Sequence, residues 1–333
     1  MKATRGSVLS GEHIALKRNF ILVMIAVAAA AAASSFLAQT PVLAQTPAPS
    51  GGGAAPGAAS IPDFGDAIWA HPMLGFESPL SGAGPVVNTA RTRTGTSDSN
   101  MLVGDYTNPI LKPAAAEIIK KRGEIQRSGL AYPDPDSMCM YEPVPYIFWN
   151  FEIRILQRPE KLVILYNHDH EFREVRMNDQ HPAKVIPSAH GDSVGHYEGD
   201  TLVIDTIGVK VGPYTMIDRL GTPYTEALHV VERYRLIDYD AAVAAQARGF
   251  KEWPNIGAYG VDPDYKGKGM QLEFTVEDEG VFTMPWKGLI TYRRALRKYW
   301  DERVCAENIT HYEGRNYYSD KNAKPPQADK PDF

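Results

Sequence analysis

The chain has 333 residues, 44% hydrophobic, 23% charged and 10% aromatic, which excludes a collagen-like, coiled-coil or wholly disordered protein and leaves room for one large domain or two modest ones. The first 44 residues carry +3 (Lys2, Arg5, Lys17 and Arg18 against Glu12), so of the formal −5 the remainder holds −8, and nucleic acid is not an expected partner.

Lys17 and Arg18 precede an apolar run from Phe20 to Ala33, and Val42-Leu43-Ala44 then offers the small-x-small pattern of a signal-peptide cleavage site. Residues 1–44 are therefore expected to be an export signal, with an uncleaved membrane anchor as the alternative. After cleavage the protein is expected to be periplasmic or secreted, without membrane contact. Residues 45–60 contain no charge and are dominated by Pro, Gly, Ala and Ser, the composition of an extended spacer.

An N-terminal arm is expected over 61–145, with Pro113 opening a peripheral helix, PAAAEIIKKRGEIQR. From Tyr146 to about residue 310 the pattern changes to short β-rich runs: YIFWNFEIRIL, KLVILYN, EFREVRM, SVGHY, TLVIDTIGV, ALHVVERYRLI, MQLEFTV and LITYRRA. Tight connections such as RPE, HDH and EGD demand antiparallel neighbours, so the expected fold is mainly β: about eight strands in an up-and-down meander that closes into a barrel or half-barrel. A helical insertion over 238–268, beginning DYDAAVAAQARGF, is expected to cover one barrel mouth, and 311–333 to form an extended arm. Cys139 and Cys305, the chain's two cysteines, are expected to pair in an oxidising compartment.

The runs DHEFREVRMN, HGDSVGHYEGDTLVIDTIGV and TEALHVVERYRLID, with MQLEFTVEDEGVFTMPWKGLITYRRA and VCAEN, resemble a large family of exported bacterial hypothetical proteins. That resemblance implies export and a β-rich fold and supplies no catalytic residues. More loosely the chain resembles lipocalins, with Trp69 preceding the meander.

Three kinds of chemistry stand in the residues. In GHYEGDTLVID a two-residue turn at Gly199-Asp200 pairs Glu198 with Thr201 and His196 with Val203, which puts His196 and Asp205 on one side and Leu202 and Ile204 on the other. If the first side lines the barrel, Asp205 orients His196 or His229 as a general base or acid while Arg233 stabilises negative charge, with Asp218 and Glu226 beside them. Arg235 and Glu232 read as an exposed charged stripe. The second is His168-x-His170-x-x-x-Glu174, a partial match to a cupin-type divalent-metal pattern; otherwise no cofactor is indicated. The third is the aromatic supply, including Trp149 and Tyr166, suited to a packed core or to stacking on a flat ligand. The leading expectation is a barrel holding a small apolar or aromatic molecule; a cofactor-free acid/base enzyme (lyase, isomerase or hydrolase) and a metal-dependent enzyme are the alternatives. Dinucleotide, P-loop and serine-hydrolase motifs are missing.

Overall fold

The computed structural model describes residues 61–65, 67–130, 132–254, 260–300 and 305, with the backbone alone at 311–312 and 315–316. The export signal and spacer expected over 1–60 lie outside the described residues. Among the described residues nine strands close a barrel in chain order, with every neighbouring pair antiparallel except β4 and β5: β1 Trp69–Ala70, β2 Ile153–Gln157, β3 Lys161–Tyr166, β4 Phe172–Met177, β5 Asp192–Glu198, β6 Thr201–Ile207, β7 His229–Ile237, β8 Gly269–Glu277 and β9 Trp286–Arg294. Two helices, α1 Pro113–Arg127 and α2 Tyr239–Glu252, decorate it, and a short hairpin of β10 His311–Tyr312 with β11 Arg315–Asn316 opens the segment expected to be an extended arm.

The barrel departs from the expected meander in three places. First, β1 comes from the N-terminal arm: Trp69 pairs with Ile153 of β2 and with Arg294 of β9, so this two-residue strand closes the ring. Second, β4 and β5 run parallel, Arg176 beside Val194 and Met177 beside Gly195. Residues 178–191 cross between them, and parallel neighbours require such a crossover. Third, YIFW is a 3-10 turn, Tyr146–Trp149, rather than the start of a strand. The preceding Pro143 and Pro145, the latter after a cis peptide bond, leave no run of free N–H groups for a ladder.

Strand alternation decides which residues meet in the lumen. The hairpin register is the expected one, with Glu198 opposite Thr201 and His196 opposite Val203. Leu202, Ile204, Val230, Glu232 and Tyr234 point inward, with Leu202 opposite Tyr234 and Ile204 opposite Glu232. Phe274, Trp286, Tyr234 and Tyr292 fill the centre, each no more than 1% exposed, so they present no surface even to a water-sized void. The packing is tight enough to require glycine at position 288, where a Cβ would lie 2.3 Å from the Phe274 ring. Small barrels are commonly filled by their own side chains in this way.

A buried ion pair sits in that centre. Arg173, inward on β4, donates from Nη1 and Nη2 to Glu232 Oε1 and Oε2 at 2.8 and 2.7 Å, and Tyr234 Oη donates to Glu232 Oε2 at 2.9 Å. Glu232 is therefore an interior residue, a correction to the exposed stripe expected of it, while Arg235 does face solvent. Burial opposes the Arg173 charge, but the Glu232 carboxylate outweighs it and raises the guanidinium above its ordinary value.

Helix α2 does not cover a mouth of the barrel. It lies along the outer wall, where Gln246 Nε2 donates to Thr291 O of β9 at 2.9 Å and Ala242 packs so close to Gly269 that a Cβ there would be 2.5 Å away. Cys139 and Cys305 form the expected disulfide. Among the described residues no helix is long and apolar enough to cross a membrane.

Candidate functional site

The turn joining β3 to β4 reverses the chain through Asp169 and His170, both in the left-handed region (φ 43° and 56°). Backbone bonds from Tyr166 N to Glu171 O (2.8 Å), Glu171 N to His168 O (2.9 Å) and Asn167 N to Glu152 O (2.9 Å) fix it, and they turn the His168 ring inward. From the other side comes the segment 134–142. Its turn is set by Asp134 and Ser137, with Ser137 N donating to Asp134 Oδ1 (2.8 Å) and Asp134 N to Ser137 Oγ. Asp136 and Glu142 leave this segment toward His168.

The three side chains each offer a ligand atom within 4.8 Å of the others. They are not hydrogen-bonded together: His168 Nδ1 lies 3.6 Å from Asp136 Oδ1 and His168 Nε2 lies 3.8 Å from Glu142 Oε1. Asn150 Nδ2 donates to Glu142 Oε1. Glu142 Oε2 and His168 Nε2 are buried without a hydrogen-bond partner. Behind them, the Glu142 N–H donates to Glu171 Oε1 at 3.0 Å, and Glu171 Oε2 is 2.7 Å from His190 Nε2. The disulfide braces both halves, because Cys305 N donates to Asp169 Oδ1 (3.2 Å) and Cys305 Sγ lies 3.3 Å from Asp136 O.

Electrostatics and backbone geometry single this region out. Burial, and then the Asp136 and Glu171 carboxylates, push Glu142 well above the usual carboxylate range; burial and then Asp134 raise Asp136. Among the described residues, three of the five non-glycine residues with positive φ, Cys139, Asp169 and His170, lie on the two segments that form this cluster, and a fourth, Phe151, packs its ring against that of His168, with centroids 5.4 Å apart. Such backbone persists only where its surroundings impose it, and it gathers at functional sites. One imidazole and two carboxylates are a donor set for a first-row divalent cation, and three protein ligands leave coordination positions open.

The chain matches no protein-family model, no curated protein and no solved structure.

Of the cupin-like set, His168 joins the cluster and the other two do not. His170 is exposed at the turn, and Glu174 points outward from β4 to Lys161 Nζ at 3.1 Å. Alternation along β4 sends Glu174 to the face opposite Arg173, so the sequence spacing cannot converge.

His196, Asp205, His229 and Arg233 share a face, as the register implies, but it is the outer one. His196 is exposed and 3.1 Å from Glu198 Oε1, and Arg233 pairs with Glu198. Asp205 is shared instead between His229 Nε2 (3.1 Å) and His181 Nε2 (3.0 Å), while His181 Nδ1 reaches Asp192 at 2.6 Å. The hydrogen bond from His229, and then that from His181, holds Asp205 below its ordinary value, and Asp205 raises His229. His181 lies in the crossover, where no strand pattern pointed to it.

Asp218 is buried and satisfied within its own loop, accepting from Leu220 N (2.9 Å), Thr222 N (3.2 Å) and Thr222 Oγ1 (2.7 Å). Glu226 is exposed, and Trp149 and Tyr166 belong to the core. Asp136, Glu142, Glu171 and His190 were not singled out by any motif. Their only trace in the sequence is a pair of acids beside Cys139.

Proposed function

We propose that this chain is an exported β-barrel protein that binds a divalent cation between Asp136, Glu142 and His168 and presents it to a small oxygen-bearing ligand. One observation carries the reading: Glu142 Oε2 and His168 Nε2, on side chains that face each other, are buried without a hydrogen-bond partner. Leaving such atoms unpaired costs on the order of 1–3 kcal/mol each, and more for a charged carboxylate, a cost that a cation between them removes. A neighbouring excess of acidic groups argues the same way, since the half-buried Asp134 and Asp136 and the buried Glu142 and Glu171 crowd one another.

The filled lumen argues against the apolar-ligand reading, and the outward face of His196 and His229 argues against acid/base chemistry inside the barrel. Export is supported by the leader pattern and by the disulfide between the two cysteines.

Calorimetric titration of the disulfide-intact protein with Mn²⁺ and with Zn²⁺, beside metal analysis of the purified chain, tests the reading. One equivalent is expected to bind, with Glu142→Gln and His168→Ala each weakening it roughly 100-fold or more. Equal affinity of the wild type and both variants would overturn it.

A further inference from the structure

A second cavity opens where β1 joins β2 and β9, and it uses none of the cation ligands. Trp69 pairs with Ile153 on one side and with Arg294 on the other. Glu152 stands just before the first of these partners, and Leu296 stands two residues after the second. Among the described residues Glu152, Gly260, Leu296, Arg297, Lys298 and Tyr299 line a space of about 460 Å³ there. Small-molecule pockets span roughly 300–1,000 Å³, so the space suits a compact organic ligand better than a lone ion.

Backbone bonds fix its walls. Leu296 N donates to Gly260 O and Asp262 N to Arg294 O, both at 2.8 Å, and the Glu152 carbonyl accepts from Asn167 N at 2.9 Å. The Glu152 side chain is left unserved. Glu152 is 2% exposed, and its Oε2 is buried without a hydrogen-bond partner. Among the described residues no cation pairs with its carboxyl group, although Lys298 lines the same cavity. Folded proteins seldom leave a buried carboxyl group unpaired unless a ligand, a water or a function accounts for it.

Three features define what fits. The Glu152 carboxyl group at the floor calls for a donor, and a charged N–H group is the strongest available. Lys298, exposed at the rim, calls for an anion. Leu296 and Tyr299, 57% and 71% exposed, leave apolar surface uncovered beside them. Arg297 has an interaction of its own and is not needed. A metal ion would serve Glu152 and leave the apolar wall bare, and a purely apolar molecule would do the reverse.

We infer that this cavity binds a small zwitterion, an α-amino acid with an apolar side chain, whose ammonium meets Glu152, whose carboxylate meets Lys298 and whose side chain lies against Leu296 and Tyr299. One molecule of this class pairs the buried carboxyl group, engages the lysine and covers the apolar surface together. The site goes beyond the cation reading and does not depend on it.

The test is calorimetric titration of the full, disulfide-intact chain with L-leucine and, separately, with isoamylamine, which lacks the carboxylate, and isocaproate, which lacks the ammonium. Leucine is expected to bind roughly tenfold or more tightly than either truncated probe. Glu152→Gln should weaken leucine and isoamylamine by about tenfold or more and leave isocaproate unchanged, whereas Lys298→Gln should weaken leucine and isocaproate and leave isoamylamine unchanged. A thermal melt of the ligand-free protein checks the vacancy itself: Glu152→Gln should keep or raise the midpoint, because the carboxyl group it replaces has no partner to lose. Absence of leucine uptake, or leucine affinity indifferent to Glu152→Gln, overturns the site. A midpoint lowered equally by Glu152→Gln and by Lys298→Gln also overturns it, since the two side chains would then already serve each other. Leucine affinity no greater than that of isoamylamine overturns the assignment to a zwitterion.

Discussion

Glu232→Gln is the most direct test of the barrel interior. In the wild type both Glu232 oxygens receive charged N–H groups from Arg173, at 2.8 and 2.7 Å, and one also receives the Tyr234 hydroxyl at 2.9 Å. The amide keeps the shape, removes the negative charge and turns one acceptor into a donor aimed at the guanidinium. Arg173 is 2% exposed and has no water to turn to. Breaking a buried pair from one side costs about 3–5 kcal/mol, because the remaining charge stays uncompensated. At about 2–4 °C per kcal/mol for a chain of this size, the thermal midpoint should fall by roughly 6–20 °C. Differential scanning calorimetry of the disulfide-intact protein reads this directly. The double variant Arg173→Met with Glu232→Leu should regain most of the loss, since an apolar pair of similar volume suits the surrounding Phe148, Phe274 and Tyr234. A single variant within about 1 kcal/mol of wild type, or a double variant worse than either single, would refute the claim that this pair is desolvated and locked.

Two further outcomes follow from the outer face and the disulfide. Asp205→Asn should lower the His229 titration midpoint measured by NMR, because Asp205 is what raises it. The sign of the pH dependence is set by both partners. The raised His229 contributes fully below its ordinary 6.5 and loses its contribution as pH climbs through the raised value, whereas the lowered Asp205 contributes above its ordinary 3.8 and loses it as pH falls through the lowered value. The variant's deficit in stability should therefore be greatest between about pH 4 and 6.5. A deficit independent of pH would show that the pair is incidental. Reduction of Cys139–Cys305, which spans 166 residues, should cost about 5 kcal/mol in the chain-entropy account. It should also weaken Mn²⁺, since the bridge braces the loops that carry Asp136 and His168; unchanged Mn²⁺ affinity after reduction would separate the bridge from the site.

Local rules carried the reading of the sequence as far as neighbouring elements and failed where distant ones met. The Gly199-Asp200 turn fixes a register, and the whole β5–β6 ladder follows from it. Helix α1 begins at its proline and runs the full expected segment. The parallel contact of β4 with β5 was hidden, because the crossover 178–191 carries no pattern that announces where it lands. Alternation placed Glu232 on the side of Val230 and Tyr234, but charge alone suggested solvent; its partner Arg173 is 59 residues away and only the closed ring brings them together. The cation cluster was legible by one residue. His168 stood out as a turn histidine, while Asp136 and Glu142 reach it through an irregular segment held by a disulfide and by left-handed backbone at non-glycine residues, neither of which spacing reveals.

The two-residue clasp at Trp69 and Ala70 sets the order in which the molecule can be completed. Strand β9 ends at Arg294, so the ring cannot shut until more than two hundred residues beyond Ala70 have been made and folded. Until then β2 and β9 each present an open row of N–H and C=O groups able to capture a strand from another molecule. Trimming the chain from its start toward residue 61 should leave the ring whole, but a cut that takes ten residues more would unfasten both edges at once and turn the barrel into a seed for aggregation.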